Sequence, residues 1–276
     1  MGRRHGKDAP TAMNLMTDIQ AQHRADLLRL LASPPEKHTS ELIGDLVALG
    51  NAMGHDVGNA LLVEDPTLLD RRPGLQQQFG SFIVEREIEE AYRLRDADIP
   101  PGTRFRDVAG PHAAGTYDRL REVFARLDFS NVRKAVMVGC GWRPVTTLHM
   151  HDETRVPEVV GLDNVEDAVD CARILGRKFG CDRLRVELAD ALTYDYSDTQ
   201  VVYVASMVTP KADVVARIAD TAPPEAQIVL WEPVSLARLW MQSAMEPLDP
   251  RLEVVDTGSV NWLSTEVFVR FRGSAR

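Results

Sequence analysis

From about Arg133 the chain changes period, and nothing else in it constrains the fold as tightly. "KAVMVGCG", "PEVVGLD", "LRVELAD", "TQVVYVAS" and "AQIVLWEP" are short runs rich in β-branched residues. Between them, "PVTTLHMH", "NVEDAVDCARILGRKFG" and "PKADVVARIADTA" carry apolar residues at helical spacing. Strands that alternate with helices pair in parallel through right-handed crossovers, which predicts an α/β fold with an open, doubly wound, Rossmann-like sheet. The closing stretch "RLEVVDTGSVNWLSTEVFVRFR" holds two further strand-like runs with no helix between them, an antiparallel pair for one sheet edge.

Upstream of the change the pattern is helical. Leu15, Ile19, Leu27, Leu30 and Leu31 recur at helical spacing until Ser33–Pro35 stops them. A second helix is expected with Ser40 as N-cap, Leu42, Ile43, Leu46 and Leu49 on its buried face, and Gly50 or Gly54 as its stop. A third runs through "LQQQFGSFIVEREIEEAYRLRDA", and "YDRLREVFARL" forms a fourth after a Pro/Gly-rich stretch. The expected organisation is a helical cap over 1–128, its first ten residues disordered, followed by a Rossmann-like domain over 129–276.

The 276 residues are 44% hydrophobic and 26% charged, ordinary values for a chain that buries a core. A formal net charge of −9 speaks against a nucleic-acid partner, which would require a basic face. No apolar run is long enough for a membrane span, and the charged start "MGRRHGKDAPTAMN" has no apolar segment after it. Cys140, Cys171 and Cys181 are few and odd in number, which suits a cytoplasmic location. His149 and His151 stand two apart on a predicted helix and point away from each other, so they read as structural and no metal is expected.

The ligand signals gather at strand ends. Gly139 and Gly141 flank Cys140 at the carboxyl end of the first strand, where an open α/β sheet places its ligand and where the backbone must turn tightly. A dinucleotide binder would continue with a third glycine, and here Trp142, Arg143 and Pro144 follow. Asp163, with Asn164 beside it, ends the second strand where a carboxylate accepts ribose hydroxyls. Asp190 ends the third, within reach of an adenine amino group, with Ala191 and Leu192 beside the ring. Either Asp alone is equally a helix N-cap, but two in register with a glycine turn favour a nucleoside. With five parallel strands and a closing pair, the ligand is S-adenosylmethionine (SAM) or a relative. Ser206 and Met207, after the fourth strand, border its methionine portion.

"VMVGCGWRPVTTLHM", "VVGLDNVEDAVDCARIL", "VVYVASMVTPKADVVARIADTAPPEAQIVLWEP" and "VNWLSTEVFVRF" together resemble nicotianamine synthase, its bacterial metallophore-forming relatives and the azetidine-2-carboxylate synthases. The resemblance covers residues 133–270, and Lys211 after "YVASMV" is its most specific mark. It implies a methyltransferase fold in which an amine attacks the γ-carbon of the methionine portion of SAM, releasing methylthioadenosine. An amine from another molecule gives an aminocarboxypropyl adduct, and the α-amine of the same SAM gives azetidine-2-carboxylate. "FRDVAGPHAAGTYDRL" replaces the family's aromatic stretch, which favours the intramolecular version. The rival reading is a small-molecule methyltransferase. The expected partner is a small-molecule substrate, and homodimerisation is an expectation from base rates alone.

The amine must be neutral to attack, and with a free α-amine titrating near 7.7–8.0 a modest base suffices. Glu85, Glu89 and Tyr92 fall at i, i+4 and i+7 on one helix face and are candidates for that role; the competing reading is a solvated charged face. Tyr117 is a further candidate, or else a packed helix-start residue. Lys211 is read as a carboxylate partner near Glu232 or as a surface residue, and Trp142 as pocket lining or packing.

Overall fold

A computed structural model of the chain describes residues 12–32, 39–108, 111–260 and 263–274. Seven strands form one sheet: β1 (Lys134–Val138), β2 (Glu158–Asp163), β3 (Leu184–Leu188), β4 (Val201–Val204), β5 (Gln227–Pro233), β6 (Leu252–Thr257) and β7 (Ser264–Phe271). Their order is β3-β2-β1-β4-β5-β7-β6. The first five are parallel, and β7 runs antiparallel to both β5 and β6, so the expected closing pair sits at one edge. The order reverses between β1 and β4, which opens a crevice at their carboxyl ends.

The central strands read as continuous apolar runs because both faces are covered. Every residue of β4 is buried, as are Ala135 to Val138 of β1, whereas edge strands β3 and β6 expose alternate or successive side chains. One face packs on α9 (Lys211–Thr221) through Val214, Val215 and Ile218. The other packs on α6 (Pro111–Phe124), α7 (Val145–Glu153) and α8 (Glu166–Lys178), with Leu120, Val123, Met150 and Val169 in contact.

The N-terminal helices are α1 (Ala12–Leu31), α2 (Thr39–Met53), α3 (His55–Glu64) and α4 (Arg72–Asp96), with a 3-10 turn at Pro66–Arg71 and a single-turn α5 at Phe105–Val108. Leu27, Leu46, Leu61, Leu68 and Phe79 share one core with Leu236, Leu239 and Trp240 of the segment following β5 and with Leu263 just before β7. The helices therefore stand over the carboxyl edge of the sheet. None of the described helices is long and apolar enough to cross a membrane.

Three expectations change. α2 begins at Thr39, so Ser40 lies inside the helix, which stops at Gly54 with φ +76°. α3, which follows the Gly54 stop directly, was not foreseen. Gly58 is there because the Ser235 hydroxyl would lie 1.8 Å from any Cβ at that position. The Pro/Gly-rich stretch holds α5 and the start of α6, so Tyr117 sits in the second turn of α6 and does not open it. The Ser33–Pro35 stop and residues 1–10 lie outside the described residues.

Candidate active site

The glycine turn is pinned to the strand beside it. Gly139 and Cys140 both donate backbone N–H bonds to the Leu162 carbonyl of β2, at 2.9 and 3.0 Å. Gly139 has φ +75° and Gly141 φ +67°, conformations that strain any residue with a Cβ. A Cβ would also meet Val208 Cγ2 at 2.8 Å from position 139 and Glu87 Oε2 at 2.6 Å from position 141. Cys140 turns its side chain inward over Gly161, whose Cβ would lie 3.1 Å from the sulfur. Only its backbone borders the turn.

Asp163 accepts from the backbone N–H of Gly141 at 2.9 Å and from that of Val165 at 3.1 Å. It thus closes the turn and serves the start of α8 with the same carboxylate. Asp190, two residues beyond the partner of Asp163 in β3, accepts from Leu192 N–H at 2.9 Å and is exposed. Asn164 is exposed and Ala191 half-buried. Val165, Leu188 and Leu192 around these acids expose large apolar side chains, a suitable rim for a planar base. Ser206 is buried at the end of β4, and Met207 packs into the helical core within 3.8 Å of a Cβ placed on Gly80 of α4.

α4 brings a different carboxylate to the turn from those expected. Glu85, Glu89 and Tyr92 are exposed, and Tyr92 lies under the Arg95 guanidinium, 4.2 Å from its ring centre. Glu87 is the residue that faces Gly141. Burial pushes its carboxyl up to about 7, against the pull of Arg143 and with Asp163 and Glu90 adding to the rise. Arg143, in the continuation of the turn, forms an ion pair with Glu90 and so ties α4 to it. The spacing that carries Glu87 is present in the sequence, beside an equally spaced exposed face. Leu75, Phe79, Ile83, Glu87 and Ala91 follow one another at i+4, an inward ridge of buried and half-buried residues with a single carboxylate in it.

The remaining candidates are packing groups. Tyr117 is 2% exposed with its ring 4.3 Å from that of His149, and its hydroxyl is buried without a partner. Burial lowers His149 to about 4, so the ring is neutral. Lys211 is 0% exposed and donates to the Trp231 carbonyl at 2.6 Å. It faces Glu232 at 3.6 Å, and Glu232 accepts from Ser243 Oγ at 2.6 Å. This buried pair holds α9 against β5; burial lowers Lys211 to about 8. Trp142 packs on Leu148 and its neighbours with its indole N–H unpartnered.

A cavity of about 280 Å³ lies between α6 and the β6–β7 turn. In it Arg119 forms an ion pair with Glu266, which is 2% exposed and also accepts from Tyr203 Oη at 3.3 Å. The Arg119 guanidinium lies 3.9 Å from the centre of the Trp231 ring, and its Nη2 has no partner.

No protein-family model matches the chain, and no curated protein matches it. Among solved structures, a glutamate-to-glutamine variant of the nicotianamine synthase MtNAS in complex with S-adenosylmethionine superposes with a TM-score of 0.73. It is 16% identical, and the match covers 92% of this chain and 98% of that one. The chain has the nicotianamine synthase fold. MtNAS in complex with MTA and tNA gives a TM-score of 0.72 at 15% identity, covering 96% of this chain and 99% of that one. The nicotianamine synthase likeness thus extends from the stretch 133–270 to the helices before it.

Proposed function

We propose that the chain is a SAM-consuming transferase in which an amine attacks the γ-carbon of the methionine portion and methylthioadenosine leaves. Glu87 against Gly141 is the observation that carries this reading. In this reading Asp163 and Asp190 hold an adenosine over the ends of β2 and β3. The methionine portion then extends the other way, across the glycine turn toward Ser206 at the end of β4. Glu87 stands at that end, with a carboxyl that titrates where a general base is useful at neutral pH.

The sulfonium makes all three attached carbons electrophilic, so position selects the one that reacts. A base at the turn is a base beside the donor's own α-amine. That favours deprotonation of this amine and its closure on the γ-carbon to azetidine-2-carboxylate. The cavity lined by Arg119 supports a second version, transfer of the aminocarboxypropyl group to an external amine bound there. A fold neighbour that holds MTA is consistent with both. The setting is a cytoplasmic homodimer acting on a small molecule.

Mass spectrometry of the protein incubated with SAM alone tests the first version. It expects methylthioadenosine and azetidine-2-carboxylate in equal amounts. Methylthioadenosine that appears only with an added amino acid selects the second version. S-adenosylhomocysteine with a methylated acceptor would overturn both in favour of a methyltransferase.

A further inference from the structure

At the opposite edge of the sheet, the end of α7 lies against the turn between α8 and β3, and three unlike ligand groups meet there. We propose that His151, Asp152 and Cys181 form a binding site for a divalent metal ion of the zinc class. One ligand atom from each lies within 4.8 Å of the other two. A thiol and an imidazole beside a single carboxylate suit zinc, or cobalt in its place, and do not suit magnesium or calcium, which take oxygen ligands.

The environment of the imidazole sharpens the assignment. Nδ1 of His151 lies 3.3 Å from Asp152 Oδ1, and Nε2 lies 3.2 Å from Asp182 Oδ1. A neutral ring has one N–H. With its proton directed to the exposed Asp182, the Nδ1 lone pair faces a carboxylate oxygen, an opposition relieved by a cation held between them, either a second proton or a metal ion. A metal bound at Nδ1 supplies it and turns Asp182 into the outer carboxylate that orients a ligating histidine. Cys181 brings its sulfur to the same place with only a long 3.9 Å contact to the Phe179 carbonyl.

The supporting backbone is already fixed. Arg183 donates to the carbonyls of His151, Thr154 and Val156, which joins the end of α7 to the start of β3. Cys181 itself donates to the Gly176 carbonyl at 2.9 Å. For zinc bonds of about 2.0–2.3 Å the ligand atoms stand roughly 3.5 Å apart, so the 4.8 Å limit closes by roughly 1.3 Å. Binding exchanges the thiol proton for the metal and releases that proton to solvent. α7 begins beside the glycine turn and ends here, so the metal is remote from the SAM site and clamps the fold.

Cobalt(II) titrated into the chelator-treated full chain tests the proposal. The expected result is a thiolate-to-cobalt charge-transfer band that saturates at one equivalent and is displaced by zinc. The band should vanish in Cys181→Ala and persist in Cys140→Ala and Cys171→Ala. Asp152→Asn, on a partly exposed side chain, should abolish it while the protein keeps its fold. Asp182→Asn should weaken cobalt affinity by about 10- to 100-fold. No band at saturating cobalt, or one that survives Cys181→Ala, would overturn the site and leave a protonated His151 held between two carboxylates.

Discussion

Glu87 is a single carboxyl placed where its burial opposes stability and its proton affinity suits catalysis. Its folded-state value of about 7 lies above the ordinary 4.5, so the folded chain holds this proton more tightly than the unfolded one. Stability is therefore lost as pH rises from about 4.5 toward 7. Glu87→Gln removes the penalty. Its melting temperature should exceed that of the parent by more at pH 8 than at pH 5, while turnover falls by roughly 10²- to 10⁴-fold. Parent turnover should rise through about pH 7 as the carboxylate forms. An equal Tm difference at both pH values would show that Glu87 is not strained by burial. His149 has the opposite sign: its value is lowered from 6.5 to about 4, so it withdraws stability as pH falls through that interval. His149→Phe, between the rings of Tyr117 and Phe124, should flatten the acid limb of a denaturation series without changing SAM affinity.

At the scale of the element, the strand–turn–helix unit and α4 act as one clamp. Gly141→Ala adds a Cβ where φ is +67° and Glu87 Oε2 stands 2.6 Å away. The cost is on the order of 1–3 kcal/mol for the backbone alone. SAM affinity by calorimetry should fall about tenfold or more with the fold retained, and an unchanged Kd would detach the turn from the ligand. The strands of this unit were legible because a strand covered on both faces is apolar throughout, whatever its partners are. The turn was legible because positive φ restricts the residues allowed there. α4 was legible as a helix but not as an orientation. Glu85, Glu89 and Tyr92 satisfy the same i, i+4 spacing as the inward ridge through Glu87, and spacing does not say which ridge meets the sheet. α3 was not foreseen, and its Gly58 serves a crossing with Ser235, 177 positions away in the chain. Cys181 was unreadable as a neighbour of His151 because a strand and a helix separate them.

For the whole molecule, the shared core decides how the chain holds together. Leu236, Leu239, Trp240 and Leu263 complete the core of the N-terminal helices, although all four come after β5 begins. A chain starting at residue 129 would leave that surface uncovered, Trp240 included, which is 1% exposed in the intact protein. Such a chain should bind hydrophobic dyes and lose its cooperative melt, and a sharp monomeric transition would show the sheet to be self-sufficient. The match to MtNAS, with 92% of this chain covered, is a likeness of this combined body and not of a sheet alone.

The order of synthesis gives this shared core a further meaning. The N-terminal helices leave the ribosome before the sheet, yet the residues that seal their apolar faces are made only after β5. Until then α2, α3 and the start of α4 are helices without a floor. That floor is in place once the segment after β5 lies under them. The helical layer is thus made before its floor and fitted after it.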